Sequence, residues 1–482
     1  MFVNNQGIIT KAEGCAMIQL DTRNISTDKV GYDHGLDLDE AFSQNRDRIR
    51  DIVTNLYATK DETGGWKRWL NLGYDQQLLE DLNEYAGRVK GWFSDMVILG
   101  IGGSSLGGFA MLKALLNPYW NQLPDSKRGG LPRYYFVENV DSDQIAPLLD
   151  MLDPRHTMFV VISKSGTTAE TMAAFMIAKD WLEKNLDAGA VKERIVAITD
   201  AKKGVLRPVA DQNDYVTFEV PDDVGGRFSV FSAVGLLPAV LCGVPLAEIQ
   251  RGIVELDKIL QNPDLSQNPA AQGALINYLM YQRGKHVSVF MPYSYRLSSV
   301  SDWFVQLWAE SLGKKSDLKG DVVHVGPTPV RAVGVTDQHS QVQLFNEGPN
   351  DKVFTFVSVE KPDRDTIIPD NQFSDVEDLN YLNGQPLSRL MQAEFESTRA
   401  SLTSNQRPNM TLSMPKVDAY HFAQLLYLLE VQTAIAGALF EIDPFDQPGV
   451  ELAKKYTYAL MGRKGYEELI PVAKGERSPI RA

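Results

Sequence analysis

Only two cysteines, Cys15 and Cys242, occur in 482 residues. They lie far apart and match no metal-ligand spacing. That excludes a disulfide scaffold and a thiolate metal site, and predicts free thiols in a reducing compartment. Positive charge is in deficit: 48 Lys and Arg face 62 Asp and Glu, for a net charge of −14. This argues against a nucleic-acid partner and an anionic-membrane partner. The start of the chain, with Asn4, Asn5 and Gln6, lacks the basic-then-apolar order of a secretory leader. Residues 228–247 hold no charge, but Pro238, Gly243 and Pro245 interrupt them. Pro245 reads as the start of a helix over Leu246–Leu260, leaving a helix of about a dozen residues, too short for a bilayer. A soluble, cytoplasmic protein is the expectation, with 44% hydrophobic and 23% charged residues and enough length for two or more cores.

Residues 1–90 read as an extended start followed by amphipathic helices. Leu38, Phe42, Ile49, Ile52, Val53 and Leu56 keep helical spacing among charged neighbours. From Asp95 the pattern changes to short apolar runs at 96–99, 134–137, 158–162 and 195–198, separated by helical patterns, with a further strand-like run at 216–220. A second unit of the same kind follows. It has predicted strands at 286–290, 331–335 and 352–359, and long helices at 301–312 and 420–440. Buried strands alternating with helices imply an α/β fold built on parallel sheets covered on both faces. Residues 361–385, acidic and rich in Pro and Asn, read as loop.

The most informative stretch runs from Phe159 to Thr171. An apolar strand passes directly into Ser163, Lys164, Ser165, Gly166, Thr167 and Thr168, and a helical pattern opens at Ala169. Four hydroxyls in six residues exceed what a helix cap requires. Together with backbone N–H groups and the positive end of the helix dipole, they suit a phosphate. A glycine-rich turn, Gly100 to Gly108, follows the first strand of the same unit. As a dinucleotide fingerprint it fails, because Ser105 stands where the third glycine belongs and no acidic residue ends the next strand at the required distance. No Walker-type loop occurs, since Gly313-Lys314 lacks the upstream glycine.

Four further segments carry candidate chemistry. Gly225-Gly226-Arg227-Phe228-Ser229 places an Arg after two glycines, a backbone able to aim a guanidinium into a cleft. Gln306 and Glu310 lie one helical turn apart on one face. In Phe445-Asp446-Gln447-Pro448-Gly449-Val450-Glu451-Leu452-Ala453-Lys454, polar side chains flank a Pro-Gly turn. Read singly, the Arg could be a surface ion pair and the Glu a solvated position. His339 stands near a predicted helix start, and its imidazole exchanges protons near neutral pH.

The Ser-Lys-Ser-Gly-Thr-Thr-x-Glu-Thr turn resembles the sugar-phosphate loop of the sugar isomerase (SIS) domain family. The Gly-Ile-Gly-Gly-Ser turn, Gly-Gly-Arg-Phe-Ser, the Gln306–Glu310 helix, His339 and the 445–454 decapeptide narrow the resemblance to the phosphoglucose isomerase family. It covers most of the chain from Gly100 to Lys454. The fold implied is two doubly wound SIS-type domains with helical additions: residues 1–90 as an N-terminal extension, 91–225 as the sugar-phosphate domain, and 226–482 as the second domain with C-terminal helices. The activity implied is interconversion of glucose 6-phosphate and fructose 6-phosphate. By this resemblance Ser163, Lys164, Ser165, Thr167 and Thr168 hold the phosphate, and Gly103, Ser104, Gln306 and Gln447 contact the sugar. Glu310 is the base between C1 and C2, Arg227 steadies the negative charge, and His339 and Lys454 open the ring. The resemblance also implies a homodimer in which His339 completes the neighbour's site. Neither metal nor redox cofactor is expected. A non-catalytic sugar-phosphate sensor would keep the 163–168 turn without needing Glu310, His339 and Lys454 together. An isomerase for mannose 6-phosphate, or for both C2 epimers, would carry the same residues.

Overall fold

The structure, a computed structural model, describes residues 16–475 apart from Asn371 and Ser374. Cys15 and the start of the chain therefore lie outside the described residues. The described residues form twelve strands: β1 (Gln19–Asp21), β2 (Asp95–Leu99), β3 (Arg133–Val137), β4 (Thr157–Ile162), β5 (Ile195–Thr199), β6 (Val216–Glu219), β7 (Val287–Pro292), β8 (Lys314–Ser316), β9 (Val322–Val325), β10 (Thr328–Arg331), β11 (Lys352–Val359) and β12 (Asn409–Met414). Every residue of β2, β4 and β5 is buried. A parallel strand covered on both faces must be apolar on both, which is why these strands are legible as unbroken apolar runs.

The first sheet has the order β3-β2-β4-β5-β6, with every pairing parallel. The second has the order β1-β12-β11-β7-β10, parallel except where β1 meets β12. Counted along the chain, the parallel strands of both sheets begin 2-1-3-4, a doubly wound order. Its reversal point lies between β2 and β4 in the first sheet and between β7 and β11 in the second. Connections leave such neighbouring strands in opposite directions and open a crevice beyond their carboxyl ends. The predicted phosphate turn follows β4 and the glycine-rich turn follows β2, so they flank this crevice.

Several expectations shift. The strand expected at 331–335 lies instead at Thr328–Arg331. Pro329 does not prevent this because β10 is an edge strand and needs no second ladder partner. The extended segment ahead of the first helices includes β1, which adds antiparallel to β12, a strand not anticipated because Asn409, Thr411 and Ser413 dilute its apolar residues. The uncharged 228–247 span contains a nine-residue helix, Ala233–Leu241, and the next helix covers Leu246–Leu260. Among the described residues one helix, Ala419–Leu439, is long and apolar enough to cross a membrane, and its apolar window is 94% buried inside the protein. It packs against the Leu246–Leu260, Pro269–Gln282 and Ser298–Leu312 helices.

One core cluster takes in Met96, Ile98 and Val160 of the first sheet and Phe290, Val353 and Val357 of the second, with the intervening helices between them. A carboxylate is set into this layer. Asp257 is fully buried and accepts hydrogen bonds from Tyr57 at 2.8 Å, Tyr74 at 2.6 Å, Tyr427 at 2.5 Å and Gln261 at 2.6 Å. These donors come from separate parts of the chain, so one anion ties the N-terminal segment to two core helices. Burial raises the pKa of all three tyrosines, and the Asp257 carboxylate adds to it. Asp257→Asn turns one acceptor oxygen into a donor facing donors, and should lower the unfolding free energy by about 2–4 kcal/mol in urea titrations. The native tyrosines keep protons that the unfolded chain releases near pH 10, so their contribution holds below that pH. It is lost as pH rises further, and less so in Tyr427→Phe.

Candidate active site

The turn after β4 is organised by its own hydroxyls. Ser163 is buried; its Oγ accepts from the Gly166 N–H at 3.0 Å and donates to Thr168 Oγ1 at 3.4 Å. Ser165 Oγ accepts from the Thr167 N–H at 3.2 Å and from Thr167 Oγ1 at 2.9 Å. Gly166 has φ +62°, and a Cβ there would lie 2.2 Å from the Leu206 nitrogen, so no other residue fits. Thr168 is the N-cap of the Ala169–Asn185 helix, yet its side chain makes no capping bond. The first N–H groups of that helix are thus left to a ligand or water, and an anion there meets the helix dipole as well. Lys164 turns its ammonium elsewhere, onto the carbonyls of Pro221 and Val224 at 3.1 Å each.

The glycine-rich turn after β2 matters for close approach. A Cβ on Gly103 would fall 2.2 Å from the Gly226 carbonyl carbon, so the Gly102–Ser104 turn lies directly against the segment carrying Arg227. Gly225 itself has an ordinary extended backbone, φ −70° and ψ 151°. The close approach is made possible by the missing side chain of Gly103, since a Cβ on Gly226 would meet the Gly103 Cα only at 3.9 Å.

Arg227 is the centre of the arrangement. Its guanidinium is buried and every nitrogen donates: Nε to Ser311 Oγ at 2.7 Å, Nη1 to Gln447 Oε1 at 2.8 Å and to Glu310 Oε2 at 3.3 Å, and Nη2 to the carbonyls of Pro444 at 2.6 Å and Asp446 at 3.0 Å. Burial lowers the pKa of the group, while Glu310, Asp446 and Asp443 oppose that shift. An arginine stays charged through such a change. Glu310, partly exposed, accepts through Oε1 from Gln306 Nε2 at 3.1 Å. Gln306 Nε2 lies 2.8 Å from where a Cβ on Gly102 would stand, so glycine at 102 admits Gln306 to the turn. One carboxylate is thus oriented by a fixed cation and an amide, beside a turn that faces the sheet crevice. Such a carboxylate can accept a proton from carbon while the cation steadies the resulting oxyanion.

Two predicted residues stand apart from this cluster. Lys454 is half-exposed on the Glu451–Leu460 helix and pairs with Glu451 at 2.8 Å. That helix touches the phosphate turn through Tyr458, whose hydroxyl donates to the Thr167 carbonyl at 3.4 Å. His339 is exposed on the short 3-10 turn Thr336–His339, and its side chain makes no hydrogen bond among the described residues. Just before that turn, Arg331 pairs with Asp302 at 3.0 Å, and Ser301 Oγ donates to the Ala332 carbonyl at 3.3 Å. Those contacts join the chain just before the His339 turn to Ser301 and Asp302 in the first half of the Ser298–Leu312 helix. Among the described residues no group of three or more His, Cys, Asp or Glu could hold a metal ion.

The phosphoglucose isomerase family model matches residues 76–468. The chain belongs to the phosphoglucose isomerase family. A glucose-6-phosphate isomerase of Rubrobacter xylanophilus is 43% identical over 453 residues, covering 94% of this chain and 99% of that protein. The corresponding enzyme of Carboxydothermus hydrogenoformans is 42% identical over 424 residues, covering 88% and 90%. A hypothetical protein of Thermus thermophilus, solved by crystallography, has a TM-score of 0.82 at 36% identity, covering 92% of this chain and all of that one. A glucose-6-phosphate isomerase of Chlamydia trachomatis has a TM-score of 0.77 at 22% identity, covering 95% and 90%, and shares the fold.

Within this family member, sequence reasoning missed the second ring of partners. Ser311 holds Arg227 Nε, and Lys314 donates to the Glu310 carbonyl at 2.8 Å and to Asp446 at its carbonyl, 2.6 Å, and carboxylate, 3.0 Å. Neither residue has a local signal, since each works through a residue distant in sequence. Removing the charge of Arg227 while keeping bulk, as Arg227→Leu, takes the cation from Glu310 and the donor from the Pro444 carbonyl, and should cost about 3–5 kcal/mol in denaturant unfolding. Arg227→Lys, which keeps the charge but cannot reach all these acceptors, should lie between that variant and the native chain.

Proposed function

We propose that this chain is an aldose–ketose isomerase that interconverts glucose 6-phosphate and fructose 6-phosphate. The observation that carries the reading is the Glu310 carboxylate set between Arg227 and Gln306, at the crevice flanked by the hydroxyl-rich turn. In this reading Ser163, Ser165, Thr167 and Thr168, with the free N–H groups of the following helix, anchor the phosphate. Adjacent strands stand about 4.8 Å apart, so a sugar anchored after β4 extends readily past the turn after β2. Lys454 and a His339 imidazole move a proton between the ring oxygen and O1 to open the pyranose. Glu310 then takes the C2 proton, the C–H electrons form a C1–C2 double bond, and the carbonyl oxygen at C1 becomes the enediolate oxygen. Arg227 steadies that charge. The hydroxyl proton on the C2 oxygen passes to the C1 oxygen, Glu310 returns its proton to C1, and the electrons freed on the C2 oxygen form the ketone. Only protons move, so the step itself calls for no electron carrier. Phosphorylated sugars do not cross a bilayer unaided, and we place the reaction in the cytoplasm.

The same reading makes the enzyme a homodimer with His339 lent to the neighbouring site. Its exposure and its side chain's lack of a hydrogen-bond partner among the described residues support this.

Glu310→Gln should reduce kcat by about 10²–10⁴-fold and abolish solvent deuterium exchange at C2, with sugar-phosphate binding nearly intact. A variant keeping more than about a tenth of native kcat would show that Glu310 is not the base. Activity on mannose 6-phosphate, assayed in parallel, decides between the single-epimer enzyme and one acting on both. The shared site is tested by refolding Glu310→Gln and His339→Ala together. Random pairing makes about half the dimers mixed, and each mixed dimer has one intact site, so activity should recover to about a quarter of the native level. If each His339 serves its own chain, confirmed mixed dimers will show no recovery.

A further inference from the structure

Lys164 sits within the hydroxyl-rich turn, yet its ammonium is engaged with another part of the chain. The Pro221 and Val224 carbonyls that it reaches belong to the segment running into Gly225, Gly226 and Arg227. The ammonium also stands over the Trp66 ring, 4.9 Å from its centre. Trp66 comes from a third region, between the Leu38–Ala58 helix and the Arg68–Tyr74 turn. That connection is pinned to the same segment, because the Gly64 N–H donates to Asp223 Oδ2 at 3.0 Å. Trp66 is 40% exposed, so it is no core residue. Its φ is 55°, a left-handed backbone that costs a bulky side chain energy and persists only where the surroundings impose it.

We propose that Trp66 is a positioning residue for phosphate binding: its ring holds the Lys164 ammonium against the Pro221 and Val224 carbonyls, and so braces the 163–168 turn against the segment that carries Arg227. The proposal rests on the reading of that turn as the phosphate site. An ammonium on an aromatic face is attracted by the ring quadrupole, more strongly as water is removed. Burial lowers the Lys164 pKa, and the carboxylates of Asp222, Asp200 and Asp223 work against that shift. Two carbonyls and one ring therefore fix the lysine in a single direction. With the lysine so fixed, the hydroxyls and N–H groups of the turn are set before any ligand arrives, and the phosphate meets them at little ordering cost. Without the ring, the ammonium is free to move into water and the turn loses its tie to the Arg227 segment.

The test uses full-length Trp66→Ala, Trp66→Leu and Trp66→Phe, with inorganic phosphate as the probe in calorimetric titrations. The dissociation constant should rise about tenfold in the Ala and Leu variants and stay within about twofold of native in the Phe variant, which keeps an aromatic face. KM for glucose 6-phosphate should rise in parallel, with kcat changed by less than about threefold. A folded Trp66→Leu that binds phosphate as the native chain does overturns the proposal, and so does a loss of kcat at unchanged KM. Should Trp66→Ala fail to fold, the contrast between Leu and Phe decides. Phosphate binding by a native chain that does not isomerise would sink the proposed activity alone, leaving Trp66 to be judged on the phosphate constants. A native chain that binds no phosphate overturns the proposal together with the reading of the turn.

Discussion

A buried guanidinium must find an acceptor for each of its N–H groups or it unfolds its surroundings. Arg227 meets that demand by gathering Ser311 and Glu310 from one helix and Pro444, Asp446 and Gln447 from a segment more than 200 residues further on. The orientation of the Glu310 carboxylate, the path of the chain before the C-terminal helix and the position of Gln447 all follow from this one charge. Lys314 works beside it, joining the Glu310 carbonyl to Asp446. The nitrogens of Arg227 are all engaged before any substrate is present.

Two doubly wound sheets bring these pieces within reach. The reversal between β2 and β4 sends the glycine-rich turn and the hydroxyl-rich turn to either side of one crevice, and the contact of Gly103 with Gly226 lays the Arg227 segment across it. Behind the crevice, Asp257 binds three tyrosines and a glutamine, so the N-terminal segment is locked to the core helices. That lock also fixes the loop that delivers Trp66 to Lys164. Groups that look like ornaments on separate helices thus act on the geometry of a single site.

His339 and Lys454 differ from the rest of the candidate site. Neither is hydrogen-bonded into the Arg227–Glu310 cluster: His339 is exposed, and Lys454 pairs with Glu451 on an exposed helix. In the proposed reaction these two residues open the ring. The compact part of the site is suited to the step at carbon, where a misplaced base would be most costly.

The residues by themselves determined the fold class and the places where chemistry could occur. Strands β2, β4 and β5 are unbroken apolar runs because both of their faces are buried, and Leu246–Leu260 is a helix with its start marked by Pro245. The 163–168 turn is legible because strand, hydroxyl turn and helix are consecutive, and its hydrogen bonds run between near neighbours such as Ser163 and Gly166. Tertiary structure decided what those residues do to one another. Local sequence could not say that Glu310 meets Arg227, that Ser311 and Lys314 complete the cluster, that Lys164 turns to Trp66 instead of its own loop, or that β1 closes the edge beside β12. Backbone conformation and capping are written over a few residues, where short-range sterics and hydrogen bonds act. A pair of side chains far apart in sequence is set by how helices cross and sheets stack, and that is specified only by the packing of the whole core.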